Sequence, residues 1–173
     1  MADPIRLFVL DVDGVMTDGS LLYGEGGELM KSFNSRDGLG LVLLKRLGIE
    51  LAVVSGKTSA PLLCRLDEIG ILHRRLACSD KVTALEDICA DLGLALAETA
   101  FMGDDLIDRA AMEACGYGMA PADAVAEVCA VADFVSEKPG GHGAVRDACE
   151  HLASLMGKSL LDALTASKGN LWQ

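Results

Sequence analysis

The chain alternates two hydrophobic patterns along its length. Short apolar runs, which predict buried strands, occur at Leu7–Leu10, Glu50–Val54, Thr99–Met102, Tyr117–Ala120 and Asp133–Ser136, with a weaker candidate at Ile71–Ala77. Between them, apolar residues recur every three or four positions, which predicts amphipathic helices over 39–47, 61–69, 81–92, 109–115, 124–130 and 144–156. Strands that alternate with helices indicate an α/β fold with a doubly wound, Rossmann-like parallel sheet in a three-layer sandwich.

A small insertion follows the first predicted strand. Two strand-like pieces, Leu21–Tyr23 and Leu29–Phe33, flank a glycine-rich turn, so residues 20–33 are predicted to form a β-hairpin. The hairpin is either an ordinary surface feature or one that faces the substrate. We predict one domain over residues 1–157 and a C-terminal extension over residues 158–173, which contains the only tryptophan.

Composition restricts the possible partners. The 173 residues include 26 Asp and Glu against 15 Lys and Arg, and the net charge of -11 argues against binding to nucleic acid or to an anionic membrane. The N-terminus has no signal-peptide pattern. A transmembrane helix needs about 20 consecutive apolar residues, and no run in the sequence approaches that length, so we expect a cytoplasmic protein. The six cysteines form no Cys-x-x-Cys pair and are expected to be reduced core residues.

Polar side chains that could take part in catalysis or binding follow the predicted strands. Carboxylates follow the strands Leu7–Leu10 and Thr99–Met102, a serine follows Glu50–Val54, and a lysine begins a helix between strands. These residues are Asp11, Asp13, Ser55, Lys81, Asp104, Asp105 and Asp108. In a doubly wound sheet such loops open on one edge, so the groups can converge. Each signal is weak alone, since Asp104 and Asp105 could only cap the next helix and Asp108 could be a first-turn charge.

Together the groups favour phosphoryl transfer. Carboxylates from two strand ends, together with waters, form an oxygen-only set that suits Mg²⁺. The Ser55 hydroxyl and the Lys81 ammonium would hold the remaining phosphate oxygens. Asp11 is then the candidate nucleophile, which would form an aspartyl-phosphate, and Asp13 is the candidate general acid and base.

The same residues resemble the four motifs of the haloacid dehalogenase superfamily. The matching segments are Asp-Val-Asp-Gly-Val at 11–15, Val-Val-Ser-Gly at 53–56, Lys81, and Gly-Asp-Asp-Leu-Ile-Asp at 103–108. The resemblance implies the same roles for Asp11 and Asp13 and phosphate binding by Ser55, Gly56 and Lys81. It also implies Mg²⁺ binding by Asp11, Asp13 and Asp104, with support of the metal site by Asp108. The second aspartate of the first motif matches the phosphatase branch.

Further segments resemble the 3-deoxy-D-manno-octulosonate 8-phosphate phosphatases and their nonulosonate 9-phosphate relatives. They are Asp-Gly-Val-Met-Thr-Asp-Gly at 13–19, Arg-Asp-Gly at 36–38 and Gly-Gly-His-Gly-Ala-Val-Arg-Asp at 140–147. This resemblance implies a small phosphorylated sugar-acid substrate, no cap domain, and a homotetramer whose hairpins form a central barrel and whose subunits close each other's active sites.

Two segments depart from that pattern. Lys57 stands where relatives commonly have arginine, and Leu76-Ala77-Cys78 replaces a more usual Gln-Gly segment. The candidates for contacts to the substrate or to a neighbouring subunit are Arg36, Lys57, His142 and Arg146. A rival hypothesis is a phospho-accepting receiver-like signalling module, which also places acids and a lysine at strand ends. Its acceptor aspartate would lie near mid-chain, whereas here the acids cluster near residues 11–18 and 104–108.

Overall fold

The structure, a computed structural model, describes residues 4–165, so Trp172 and the rest of 166–173 lie outside the described residues. The strands are β1 (Leu7–Leu10), β2 (Leu22–Gly24), β3 (Gly27–Met30), β4 (Glu50–Val54), β5 (His73–Arg75), β6 (Thr99–Met102), β7 (Tyr117–Ala120) and β8 (Phe134–Val135). The helices are α1 (Ser35–Arg46), α2 (Ala60–Glu68), α3 (Lys81–Leu92), α4 (Arg109–Ala114), α5 (Ala126–Cys129), α6 (Ala144–Leu155) and α7 (Leu160–Thr165).

Six parallel strands form the central sheet, in the order β5-β4-β1-β6-β7-β8. Their side chains alternate between two buried clusters: Phe8 and Leu10 face one, whereas Leu7 and Val9 face the other. Helices α1, α2, α6 and α7 contribute to the first cluster, and α3, α4 and α5 contribute to the second. The predicted three-layer α/β sandwich with a doubly wound parallel sheet is therefore confirmed.

Strand β1 lies at the centre of the sheet, between β4 and β6. Leu10 pairs in register with Val53 on one side and with Met102 on the other. All three strands are buried up to this level. The residues that follow them, among them Asp11 and Ser55, therefore emerge at the same edge of the sheet.

The hairpin is present between β1 and α1, and β2 and β3 form a separate antiparallel sheet. Within the described residues, this hairpin is the only regular structure inserted there. Helix α1 begins at Ser35, before the predicted start at Leu39, because the Asn34 side chain accepts hydrogen bonds from the Arg36 and Asp37 amides and caps the helix. The weak strand candidate is confirmed as the three-residue β5.

The cysteines are unpaired, but the expectation that they lie in the core is correct only for Cys89 and Cys149. Cys64 is exposed, and the remaining three are half-buried. At the C-terminal end, Leu160 and Ala163 of α7 are buried in the same cluster as α1 and α6. The proposed boundary after residue 157 stays a prediction. None of the helices in residues 4–165 combines the length and the apolar character that a membrane crossing needs.

Ala77 has a φ of 54°, in the left-handed region that glycine adopts without cost. It precedes Lys81 in the loop between β5 and α3, where its amide donates to the Lys57 carbonyl. Ala77→Gly should therefore raise the free energy of unfolding by about 0.5–1 kcal/mol. Ala90→Gly, the same change on the exposed side of α3, should lower it by about 1 kcal/mol. Urea denaturation of both variants measures the two changes in the free energy of unfolding. A loss of stability in Ala77→Gly would contradict the assignment of backbone strain to Ala77.

Candidate active site

The three central strand ends converge on one cavity of about 260 Å³. Asp11 follows β1 and is 5% exposed, Ser55 follows β4 and is 2% exposed, and Asp104 follows β6. The Asp11 amide donates to the Met102 carbonyl across the β1–β6 pair. The cavity is lined by Asp11, Asp13, Ser55, Gly56, Lys57, Asp104, Asp105 and Ile107. The structure thus brings together most of the side chains that the strand ends predicted.

The loop after β1, residues 11–19, is held by its own backbone. The Val12 carbonyl accepts hydrogen bonds from the amides of Met16 and Thr17, at 2.9 and 3.1 Å. The buried Thr17 hydroxyl accepts from the amides of Gly14 and Gly19. Gly14 has a φ of 89°, and a Cβ there would overlap the Asp104 carboxylate. Glycine is therefore required at position 14 both for the turn and for the close approach of Asp104.

The glycine-rich loop at 137–143 packs against this acidic loop. A Cβ on Gly140 would overlap the Gly14 carbonyl, and the Gly141 amide donates to the Val15 carbonyl at 3.0 Å. The beginning of α6, directly after this loop, is tied to α1 because the buried Asp37 carboxylate accepts from the Arg146 amide at 2.8 Å. The Arg-Asp-Gly and Gly-Gly-His-Gly segments thus support the acidic loop from outside.

Lys81 lies beneath the cavity, 5% exposed, at the start of α3. Asp80 caps this helix by accepting from the Val82 and Thr83 amides. The Lys81 ammonium lies 2.8 Å from Asp11 and 2.5 Å from Asp108. Burial alone would lower the pKa of Lys81, but the two carboxylates outweigh it and raise the pKa, so the side chain stays charged.

Asp108 is fully buried and organises the loop after β6. One of its oxygens contacts Lys81, and the other accepts hydrogen bonds from the amides of Asp104 and Asp105 at 3.1 and 3.2 Å. Asp108 therefore does more than place a charge in the first turn of α4. It connects the lysine of one motif to the backbone that presents Asp104.

Three carboxylates could hold a metal ion together: oxygens of Asp11, Asp104 and Asp108 lie within 4.8 Å of one another. Burial, reinforced by Asp108 and only partly offset by Lys81, raises the pKa of Asp11 to about 6. Burial and the neighbouring carboxylates raise the pKa of Asp104 to about 7. One lysine does not balance this negative charge, and hard oxygen donors match Mg²⁺, so the residues fit a divalent cation.

Asp13 is predicted to bind the metal with Asp11 and Asp104, but its side chain lies apart from the three grouped carboxylates. Its carboxylate is not in the cluster of three and instead binds the ammonium of Lys31, which comes from the hairpin. Asp13 nevertheless lines the cavity, and its side chain is 22% exposed. A role as metal ligand stays a prediction, while the position of Asp13 beside the nucleophile candidate suits acid and base chemistry.

The four candidates for substrate contacts divide between two places. Lys57 lines the cavity of the strand ends, next to Ser55 and Gly56. Arg36, His142 and Arg146 instead line a larger cavity of about 360 Å³, between the beginnings of α1 and α6. The smaller cavity is the candidate active site, because Asp11 and Asp13 line it and the buried Lys81 contacts Asp11. Within one chain, these three residues are therefore not assembled with the phosphate site.

The structure also reveals two contributors that the motif analysis missed. Thr17 holds the acidic loop, and Lys31 binds Asp13 from the hairpin. Thr17 stands within the segment 13–19 that carries the closer resemblance, so the sequence offered a signal for it. Lys31 lies in no motif, and only the folding of the hairpin onto the acidic loop reveals its contact.

Comparisons with known proteins are consistent with this site. A model of the haloacid dehalogenase-like hydrolases matches residues 77–146. A 3-deoxy-D-manno-octulosonate 8-phosphate phosphatase of Salmonella typhi is 40% identical over 157 residues, which cover 91% of this chain and 84% of that protein. The cobalt-bound phosphatase of Haemophilus influenzae has a TM-score of 0.88 at 40% identity, covering 90% of this chain and 91% of its own.

A second solved structure is the phosphatase of the same name from Moraxella catarrhalis, in complex with a magnesium ion, a phosphate ion and a KDO molecule. Its TM-score is 0.87 at 40% identity, covering 95% of this chain and 94% of its own. The similarity therefore extends across both layers of helices and the whole central sheet.

Cation binding should depend on pH through Asp11 and Asp104. Their pKa values of about 6 and about 7 lie above those of an unfolded chain, so proton binding stabilises the cation-free fold at low pH and this contribution is lost as the pH rises toward about 7. Mg²⁺ must compete with these protons. At a free concentration of about 100 times Kd it should stabilise the protein by about 2.7 kcal/mol, and so raise Tm by about 5–10 °C, at a pH of about 8.

At a pH of about 5 the increase should be much smaller, because protons occupy the same carboxylates. Thermal denaturation with and without Mg²⁺ at the two pH values measures the difference. In Asp104→Asn the increase at high pH should largely disappear. An equal increase at both pH values would contradict the assignment of the cation to this cluster.

Proposed function

Because this chain belongs to the haloacid dehalogenase-like hydrolases, in the family of the 3-deoxy-D-manno-octulosonate 8-phosphate phosphatases, we propose that it hydrolyses that sugar-acid phosphate with the help of Mg²⁺. The observation that carries the proposal is the position of Asp11. It follows a buried central strand and lines the cavity, and its carboxylate forms an ion pair with the ammonium of Lys81. The receiver-like alternative is set aside because the family is one of hydrolases.

In the first half of the proposed reaction, an oxygen of Asp11 attacks phosphorus. The bond between phosphorus and the sugar oxygen breaks, and its electron pair stays on that oxygen, which takes a proton from Asp13. The products of this half are the free sugar acid and an aspartyl-phosphate on Asp11. Lys81 and the hydroxyl of Ser55 would hold the phosphoryl oxygens, where the negative charge has to be offset.

In the second half, water attacks the phosphorus of the aspartyl-phosphate. Asp13, now ionised, takes a proton from this water, and the bond to Asp11 breaks with release of inorganic phosphate. Asp11 returns as a carboxylate and Asp13 returns protonated. The net reaction is therefore ester plus water to alcohol plus phosphate, without any other reactant.

The carboxylates of Asp11, Asp104 and Asp108 would hold the Mg²⁺ ion. When bound, the ion would supply Lewis-acid stabilisation of the transferring phosphoryl group. The chain's own contribution is to keep these carboxylates close together at the ends of two neighbouring strands, and to connect Asp104 to Lys81 through Asp108.

The size of the cavity supports a site that another subunit completes. Its volume is about 260 Å³, whereas pockets that enclose a whole small ligand typically have volumes of about 300–1,000 Å³. We propose a homotetramer in which neighbouring subunits contribute the remaining contacts, with Arg36, His142 and Arg146 in or near the interface. The unpaired cysteines are typical of a reducing compartment, and we place the enzyme in the cytoplasm.

Phosphate release from a panel of sugar phosphates tests the proposed activity. The octulosonate 8-phosphate should be preferred over nonulosonate 9-phosphates and hexose phosphates by at least about tenfold in kcat/KM, equivalent to about 1.4 kcal/mol. Asp11→Asn should lower kcat/KM by at least about 10⁴-fold, whereas Asp87→Asn, a matched change at an exposed position of α3, should leave it unchanged. A preference for a nonulosonate would overturn the substrate, and full activity of Asp11→Asn would overturn the mechanism.

The hairpin should carry the assembly. Its exposed apolar side chains are Leu21, Leu22, Tyr23, Leu29 and Met30, with Leu29 exposed to 68%. Clustered apolar side chains on a two-stranded sheet are typical of an interface. Leu29→Lys should therefore shift the mass measured by light scattering from four chains toward one, whereas Leu72→Lys, at a 73% exposed leucine elsewhere, should not. A tetramer that persists in Leu29→Lys would argue against a hairpin interface.

A further inference from the structure

Lys31 is a cation of the hairpin whose side chain is almost completely removed from solvent. It follows β3, and its side chain is 1% exposed. Its ammonium contacts one oxygen of Asp13, and it also lies 2.6 Å from a carboxylate oxygen of Glu28, which is 9% exposed. A lysine is strongly hydrated in water, so burying its ammonium is costly unless specific partners compensate.

The two carboxylates provide this compensation. Burial by itself would lower the pKa of Lys31, but Asp13 and Glu28 outweigh it and the pKa is raised. Lys31 therefore remains a cation between one carboxylate of the hairpin and one of the acidic loop. The contact fixes a single oxygen of Asp13, Oδ1, which leaves the second oxygen available for proton transfer in the cavity that Asp13 lines.

We propose that Lys31 is the positioning residue that orients Asp13 for protonation of the leaving oxygen. The inference rests on the proposed function and adds a role for the hairpin in the first half of the reaction. As the bond between phosphorus and the leaving oxygen breaks, Asp13, protonated on the oxygen that Lys31 does not contact, gives this proton to the leaving oxygen. A carboxylate held by one oxygen meets the reacting atom in a defined geometry, which proton transfer requires.

Exposed apolar side chains of the hairpin connect this role to assembly. Leu29 and Met30 of β3 are exposed, whereas the side chains of Glu28 and the adjoining Lys31 contact each other and are largely buried. A subunit that packs on the exposed side chains would restrain the segment that carries Lys31. The hairpin that positions Asp13 would then be the same element that contacts the neighbouring subunits.

The test compares leaving groups. Lys31→Met removes the ammonium at similar size, and Lys31→Arg retains a cation. Lys158→Met is the matched control at an exposed lysine that follows α6. Each variant is assayed with an alkyl phosphate that the wild type accepts, starting with the octulosonate 8-phosphate, and with p-nitrophenyl phosphate. An alkoxide needs a proton in order to leave, whereas nitrophenolate leaves without one, so only the alkyl ester reports on Asp13 as an acid.

Lys31→Met should lower kcat/KM for the alkyl phosphate by about 10²-fold and for the aryl phosphate by less than about threefold. Lys31→Arg should recover the alkyl activity to within about tenfold of wild type, and Lys158→Met should match wild type with both substrates. Equal losses with both substrates would show a merely structural role, and an unchanged alkyl activity would show no role. Either result overturns the proposal.

A stability measurement separates this inference from the proposed function. Unfolding of Lys31→Met, Asp13→Asn and the double variant in urea forms a double-mutant cycle that needs no substrate. Non-additive effects are expected if the pair is formed in solution, and additive effects would overturn the proposal whatever the enzyme hydrolyses. Conversely, wild-type inactivity toward the octulosonate phosphate with retained activity toward other alkyl esters would overturn only the proposed substrate.

Discussion

The geometry of the site depends on how the negative charge of three carboxylates is compensated at the ends of two buried strands. Asp11, Asp104 and Asp108 bring carboxylate oxygens within 4.8 Å of one another, and Lys81 is the buried cation that contacts two of them. Since burial strengthens repulsion between like charges, the cluster is favourable only with further positive charge. Burial raises the pKa of Asp11 to about 6, and burial together with the neighbouring carboxylates raises the pKa of Asp104 to about 7. This excess of negative charge explains why a divalent cation fits here, and an anionic phosphate ester would need the positive charge of that cation and of Lys81.

Such a cluster needs a backbone that brings the loops unusually close. Gly14 leaves room for the Asp104 carboxylate, and Gly140 leaves room for the Gly14 carbonyl. Asp37 then ties the start of α6, and so the end of the glycine-rich loop, to α1. If any of these contacts loosened, the carboxylates could separate. The glycine-rich loop at 137–143 thus helps to hold the carboxylates in place, although it supplies no reacting group.

The sequence predicted the sheet well because its strands are short, buried on both faces and nearly continuous in apolar residues, as in β1, β4 and β6. It also placed Asp11, Ser55, Lys81 and Asp104 together, because parallel strand ends share an edge. It could not predict the contact of Lys31 with Asp13, which depends on how the hairpin folds back. Nor could it separate Arg36 and Arg146 from the catalytic cavity, since the beginnings of α1 and α6 meet at a different surface.

The central claim is that Asp11 becomes covalently phosphorylated. Rapid quenching during turnover, followed by borohydride reduction and peptide mass spectrometry, tests it directly, because borohydride reduces an acyl phosphate but not a free carboxylate. We expect reduction at Asp11 in the peptide that contains residues 7–19. This reduction should require substrate and should be absent from Asp11→Asn. Turnover that continues with no reduced Asp11, or reduction at another carboxylate, would contradict it.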